Sequence, residues 1–186
     1  MKHKLLTASI LFLSIYAFFS CGKGESSLEA GPGSAGKKAA GAEVKFYSFN
    51  EGLALAKKEK KAIIVDFYAD WCRWCKVMDE QVFSDKEVAD LLNKNYIVIR
   101  IYTDRPDSEK IVFKNQKLSS QEFAGYVGVQ GLPTLIFMES SGEPITKIPG
   151  FVNKDVFIPL LKYVNDGCHK QSVSFQDFMD GKKNCK

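Results

Sequence analysis

The sequence predicts an α/β fold, a central mixed sheet flanked by helices on both faces, and three observations carry that reading. Ala62 to Tyr68 is a β-branched, nearly continuous apolar run, the pattern of a central strand buried on both faces. Ile97-Val98-Ile99-Arg100-Ile101-Tyr102 is a second strand-like run, one helix further on. The remaining apolar segments alternate between strand and helix spacing in the order βαβαβ, then α, then ββα.

Each element has a local reason. Val44 to Phe49 alternates weakly and reads as an edge strand. Asn50 is the expected N-cap of a helix over Glu51 to Lys60, with Leu53, Leu55 and Ala56 as its apolar positions. A helix is expected from Cys72 to about Gln81, and Ser84 is expected to cap a short one from Asp85 to Asn93. A loop opens at Arg105-Pro106-Asp107-Ser108, after which Ile111-Val112-Phe113 reads as a short strand or a helical turn. Ser119 or Ser120 caps a helix through about Tyr126. Gly131-Leu132-Pro133 introduces a strand, Thr134 to Met138, and Ser140 to Glu143 turns the chain into Ile145 to Ile148. The last helix, Lys154 to Asn165, keeps Phe157, Leu160, Leu161 and Val164 at helical spacing, and Pro159 inside it predicts a kink or a late start.

Four regions follow: 1–21, 22–42, 43–166 and 167–186. Met1-Lys2-His3-Lys4 is a positive n-region, and Leu5 to Phe19 is an apolar run too short for a span of about 20 residues but suited to a signal peptide. Phe18-Phe19-Ser20-Cys21 is similar to a lipobox with Cys21 as the lipidated residue, although Phe18 stands where Leu is usual. Cleavage after Gly22 and an uncleaved anchor are the alternatives, and all three place the rest of the chain outside the cytoplasm. Gly22 to Ala42, rich in Gly, Ala, Ser and Lys, reads as a flexible tether with a root-mean-square span of roughly 25 Å. From 43 onward the pattern is globular. The formal charge of +4 is modest, and Lys57-Lys58-Glu59-Lys60-Lys61 reads as a solvated helix face. With no basic stripe interleaved with aromatics, nucleic acid is not among the predicted partners.

Cys72 and Cys75 sit where the apolar strand gives way to a helix. Two cysteines three apart on a first helical turn can close a small disulfide, with the first exposed where the positive end of the helix favours a thiolate. That thiolate is the nucleophile of thiol–disulfide exchange. A zinc site would need two further ligands, and the chain offers only His169 beside Cys168, and Cys185, without a second Cys-x-x-Cys. A structural disulfide is the other alternative, although so short a loop stabilises little. The indoles of Trp71 and Trp74 suit a redox surface better than either, and no metal or organic cofactor is implied. Asp66 lies on the buried strand six residues before Cys72, where burial disfavours its ionised form. Pairing with a neighbouring Lys is the plainer reading of that residue. Cys168 and Cys185 are expected to pair as a structural disulfide that clasps the C-terminal extension, with Phe175 and Phe178 packing back on the domain. A second redox centre is the alternative there, and His169 is expected to be an exposed helix-end residue.

Val65-Asp66-Phe67-Tyr68-Ala69-Asp70-Trp71-Cys72-x-x-Cys75-Lys76, with Gly128-Val129-Gln130-Gly131-Leu132-Pro133-Thr134 and Gly150-Phe151, resembles the thioredoxin superfamily. With Val82-Phe83-Ser84-Asp85 after the motif helix, the likeness is closer to the periplasmic C-terminal thioredoxin-like domain of DsbD-type thiol:disulfide interchange proteins. The resemblance covers about Glu43 to Asn165 and implies a thioredoxin fold. It implies that Asp66 exchanges a proton with the resolving Cys75, and that Pro133 is cis and faces the dithiol. Leu132 and Pro133 would then form a substrate-binding edge. Arg73 and Trp74, between the cysteines, are the tuning residues, and Trp71, Arg73 and Trp74 are expected to meet the substrate. Strongly oxidising members often carry His between the cysteines, so its absence favours a reductant. The expected activity is extracytoplasmic protein-disulfide reduction, on protein disulfide substrates and with electrons from a membrane thiol donor. An oxidase or isomerase of the same fold is one alternative, and a non-catalytic binding or chaperone module is the other.

Overall fold

The computed structural model describes residues 43–105, 110–183 and 185, so the expected leader with Cys21, the tether and Pro106 to Ser108 lie outside the described residues. In chain order the first elements are β1 (Phe46–Tyr47), α1 (Phe49–Glu59), β2 (Ala62–Tyr68), α2 (Arg73–Met78), α3 (Lys86–Asn95) and β3 (Tyr96–Tyr102). They are followed by β4 (Ile111–Phe113), β5 (Gln116–Leu118), α4 (Ser120–Tyr126), β6 (Thr134–Met138), β7 (Pro144–Pro149), α5 (Lys154–Asn165) and α6 (Phe175–Met179).

Five strands form one sheet in the order β1-β3-β2-β6-β7. β1, β3 and β2 run parallel, whereas β6 lies antiparallel to β2 and β7 antiparallel to β6. β2 is therefore paired on both edges, and its side chains alternate between two cores. Ile63, Val65 and Phe67 meet Phe49 and Ala56 of α1 and Phe123 of α4 on one face. Ile64 meets Met78 of α2, Val88 and Leu92 of α3, and Phe157 and Leu161 of α5 on the other. This is a mixed sheet with helices on both faces, as its apolar runs predict.

Local signals slip where several residues compete for one role. Ser48, not Asn50, holds the N-cap position of α1. Asn50 lies inside the helix because its amide is used elsewhere: Nδ2 donates to the Lys110 carbonyl at 2.8 Å, and Oδ1 accepts the Val112 N–H at 2.9 Å. Asp85 rather than Ser84 caps α3, accepting the N–H groups of Glu87 and Val88. Ser119 caps α4 in a reciprocal box with Glu122, as expected. The helix after the cysteines ends at Met78 and passes into a π-helical turn, Asp79–Phe83. Ile111–Phe113 is a strand, and its partner β5 is an element that the sequence pattern does not reveal. Lys114 and Asn115 connect the two with positive φ, the geometry of a tight hairpin. α5 starts at Lys154 under an Asn153 cap and runs through Pro159, so there is no late start.

Beyond α5 the chain folds back on it. The Tyr163 hydroxyl donates to the Val173 carbonyl at 2.6 Å, and the rings of Phe175 and Phe178 lie 5.4 and 5.5 Å from that of Tyr163. Cys168 is bonded to Cys185. His169 is not the exposed helix-end residue expected: it is largely buried, with Nε2 3.0 Å from Glu139 Oε1 just past β6. Its ring also lies 6.4 Å from that of Tyr163.

Gly52 lets α1 lie against the sheet. A Cβ there would stand 2.8 Å from Cδ1 of the buried Ile99, and closer still to its Cγ1. Overpacking costs about 1–3 kcal/mol, which outweighs the gain of about 1 kcal/mol in helix propensity. Gly52→Ala is therefore expected to lower the unfolding free energy by up to about 2 kcal/mol in urea titrations.

Candidate functional site

β2 ends at Tyr68 beneath the loop that leaves β3. The Thr103 N–H donates to the Tyr68 carbonyl at 2.9 Å, and the Asp70 N–H to Asp104 Oδ2 at 2.8 Å. Arg105 grips Asp70 through Nε and Nη2 at 3.1 and 3.0 Å, with its guanidinium 3.5 Å from the centroid of the Tyr102 ring. The hydrogen bond from Arg105 holds the Asp70 carboxyl below its ordinary pKa. These contacts fix the short turn in which the Cys72 N–H donates to the Ala69 carbonyl at 3.0 Å.

Cys72 is the N-cap of α2 rather than a residue of its first turn, and the Cys75 N–H donates to its sulfur at 3.1 Å. An N–H aimed at sulfur favours the thiolate over the thiol. In the structure the two cysteines are bonded to each other, with Cα atoms 5.3 Å apart. The exposed position expected for Cys72 is not observed: the residue is 4% exposed and Cys75 1%. Tyr68 and Ala69 pack around both sulfurs, with Leu132 against them, so the disulfide lies just beneath the surface. The exposed groups are its neighbours, Trp71 at 72% and Trp74 at 57%, together with Arg73. The Trp74 ring leans on Phe151, 5.6 Å away. The Leu132–Pro133 peptide bond is cis, and the Pro133 carbonyl accepts the Gly150 N–H at 2.8 Å. Among the described residues, no three His, Cys, Asp or Glu side chains come together as a set that could hold a metal.

Asp66 is fully buried, and burial raises its pKa from 3.8 to about 6 against the attraction of Arg100. Its partner is not a lysine but Arg100, opposite it in the β2–β3 register, with Nε 2.8 Å from Asp66 Oδ2. The same guanidinium turns its other two nitrogens to Asp79, at 2.5 and 3.2 Å. Arg100 and Asp79 carry no role in the sequence reading. The available signal was a lone charge in the apolar run of β3; nothing marks Asp79 except its place one helical turn after Cys75.

A model of the thioredoxin-like domain matches residues 49–165, well over half of the chain. The chain belongs to the thioredoxin-like domain family. This thioredoxin-like domain carries its Cys-x-x-Cys pair bonded at the start of α2. It is 32% identical over 116 residues to the thiol:disulfide interchange protein DsbD of Vibrio vulnificus, covering 61% of this chain and 18% of that protein. The chain thus spans less than a fifth of the length of the curated relatives it matches. Among solved structures, a putative disulphide-isomerase from Bacteroides thetaiotaomicron aligns at 28% identity and TM-score 0.54, covering 73% of this chain and all of that one. A thioredoxin-fold protein from Helicobacter pylori, 20% identical with TM-score 0.58, covers 79% and 89% and shares the fold. No helix among the described residues is long and apolar enough to cross a membrane.

The buried carboxyl makes stability depend on pH. The folded pKa of Asp66 lies above its unfolded value, so the native state binds the extra proton, and stability is lost as pH rises from about 3.8 to about 6. The shift corresponds to about 3 kcal/mol. Urea unfolding of the wild type and Asp66→Asn between pH 4 and 7 is expected to show their difference moving by about that amount, with the wild type losing ground as pH rises.

Proposed function

We propose that this thioredoxin-like domain reduces protein disulfides outside the cytoplasm. The observation that carries the reading is Cys72 itself, capping α2 with the Cys75 N–H on its sulfur and bonded to Cys75. In the reduced protein the Cys72 thiolate attacks one sulfur of a partner disulfide, expelling the other as a thiolate and leaving a mixed disulfide. Asp66, with a pKa near neutrality, takes the proton of Cys75. The Cys75 thiolate attacks Cys72 sulfur, the second partner thiolate leaves, and the Cys72–Cys75 bond closes. The partner gains two electrons and the dithiol loses two.

Trp71, Arg73 and Trp74 offer the contact surface, and Leu132, packed against the cysteines, with Pro133 next to it in the chain, is the edge along which the partner chain lies. No imidazole stands between the cysteines to stabilise the reduced form, which supports the reducing direction. The apolar run before Cys21 supports an extracytoplasmic, membrane-tethered location. The likeness to DsbD, a thiol:disulfide interchange protein, supports disulfide substrates and a thiol partner that restores the dithiol, and the proposed tether makes a membrane donor the one within reach. The Cys168–Cys185 bond is read as a structural clasp.

Equilibration with thiol–disulfide buffers tests the direction. A potential near about −270 mV is expected; a value near about −120 mV would make the domain an oxidant. An isomerase reading, favoured by the Bacteroides thetaiotaomicron neighbour, calls for about −180 mV. Cys72→Ser is expected to abolish insulin reduction, and undiminished turnover would leave only a binding role. Cys75→Ala is expected to accumulate mixed disulfides on Cys72, and Asp66→Asn to slow their resolution by about 100-fold at neutral pH. Replacing Cys168 and Cys185 by Ser together is expected to cost about 3 kcal/mol of stability and leave insulin reduction intact.

A further inference from the structure

Arg100 stands out as a largely buried cation whose three nitrogens serve two carboxylates on different elements. Nε faces Asp66 on β2 at 2.8 Å, while Nη1 and Nη2 grip Asp79 at 3.2 and 2.5 Å. Asp79 is one-third exposed and opens the π-helical turn that continues the cysteine helix. The rings of Phe46, Tyr68 and Phe83 wall the guanidinium, with centroids 3.8, 4.7 and 5.7 Å from its carbon. The forked end therefore has one orientation, in which both Nη atoms point to Asp79 and a single N–H is left for Asp66.

We infer that Arg100 is a positioning residue shared between the two carboxylates, and that Asp79, by holding its forked end, sets how tightly Asp66 keeps a proton. This rests on Asp66 serving the dithiol as proposed above. Asp79 acts on Asp66 in two ways of the same sign. Its negative charge disfavours a second negative charge nearby, and its grip keeps the guanidinium from turning both arms to Asp66. Arg100 acts in the opposite sense by attraction. The other groups facing this site do not compete. Tyr68 has its pKa raised by burial and stays neutral, and Tyr102 lies edge-on to it at 5.2 Å. The buried side chains that α3 and α5 turn to this face, Val88, Leu92, Phe157 and Leu161 among them, are apolar.

The test uses the opposed signs. The Asp66 carboxyl carbon is titrated by NMR in the oxidised protein, where neither cysteine titrates. Asp79→Asn is expected to move its midpoint down by about one pH unit, and Arg100→Gln to move it up by about one to three. Arg100→Lys, which keeps the charge but lacks the fork, guards against a Gln variant that fails to fold and is expected to fall between the wild type and Gln. Asp79→Glu is expected to restore the wild-type midpoint. A merely structural role would leave the midpoint where it is in Asp79→Asn, and that result overturns the inference, as does a shift of the same sign in both charge-removing variants. The reduced proteins are then mixed with an aromatic disulfide, and the first-order release of the second aromatic thiolate is followed against pH. Release profiles that follow the carboxyl midpoints support both readings. Midpoints that shift as expected while release does not follow retain the tuning by Asp79 and remove Asp66 as the base.

Discussion

Strand β2 is covered on both faces and hydrogen-bonded along both edges, so a carboxyl placed on it has no water to turn to. Ile63, Val65 and Phe67 feed one core and Ile64 the other, and between them Asp66 enters an apolar layer with Arg100 as its cation. The double burial also decides where the chain changes direction. Once β2 passes the cover of its neighbours it is caught by the loop after β3, through Thr103 and Asp104, and delivered to the start of α2. The strand that makes the carboxyl basic is thus the strand that sets the cysteines.

The disulfide is less open than its motif implies. Reactive cysteines are often pictured as protruding, yet here the exposed area belongs to the two indoles and Arg73, while the sulfurs lie under them against Tyr68, Ala69 and Leu132. Under the proposed function the arrangement separates recognition from chemistry. Large flat side chains contribute contact area at low entropic cost. The sulfurs remain in a low-dielectric layer, where the Cys75 N–H on Cys72 is worth more than in water.

What could be read from the chain follows the range of the forces involved. Ala62–Tyr68, Thr134–Met138 and Lys154–Asn165 are legible to the residue, because each is a long apolar pattern bounded by strong breakers or caps. The caps at Asn50 and Ser84 slip because a second cap-competent residue stands one or two positions away, Ser48 and Asp85, and at Asn50 the distant Lys110 and Val112 claim the amide. The β4–β5 hairpin is hidden because strands of three residues have too short a period to detect. The cysteine pair is visible as a motif, but the depth of Cys72 is not, since Leu132 reaches it from a loop some sixty residues away. Arg100 is visible as an oddity in an apolar run. Its partners are not, because they depend on the β2–β3 register and on where the cysteine helix widens into a π-helical turn.

The magnitudes explain why an arginine shared in this way leaves Asp66 useful. Burial alone lifts a carboxyl by as much as about 3–5 pKa units, and a close cation draws it back by about 1–3. With Arg100 removed, the upper end of that lift would keep Asp66 protonated well above neutrality and unable to accept anything. With the whole fork turned onto Asp66, the carboxylate would be held near its ordinary range and would accept a proton too weakly. A single N–H from Nε, with the other arms on Asp79, leaves a net rise of about 2 units, to about 6. At that value the base role proposed for Asp66 runs in both directions within one pH range, taking the proton and returning it. Lysine, whose donors all sit on one nitrogen, lacks the planar fork that puts two nitrogens on Asp79 while a third serves Asp66.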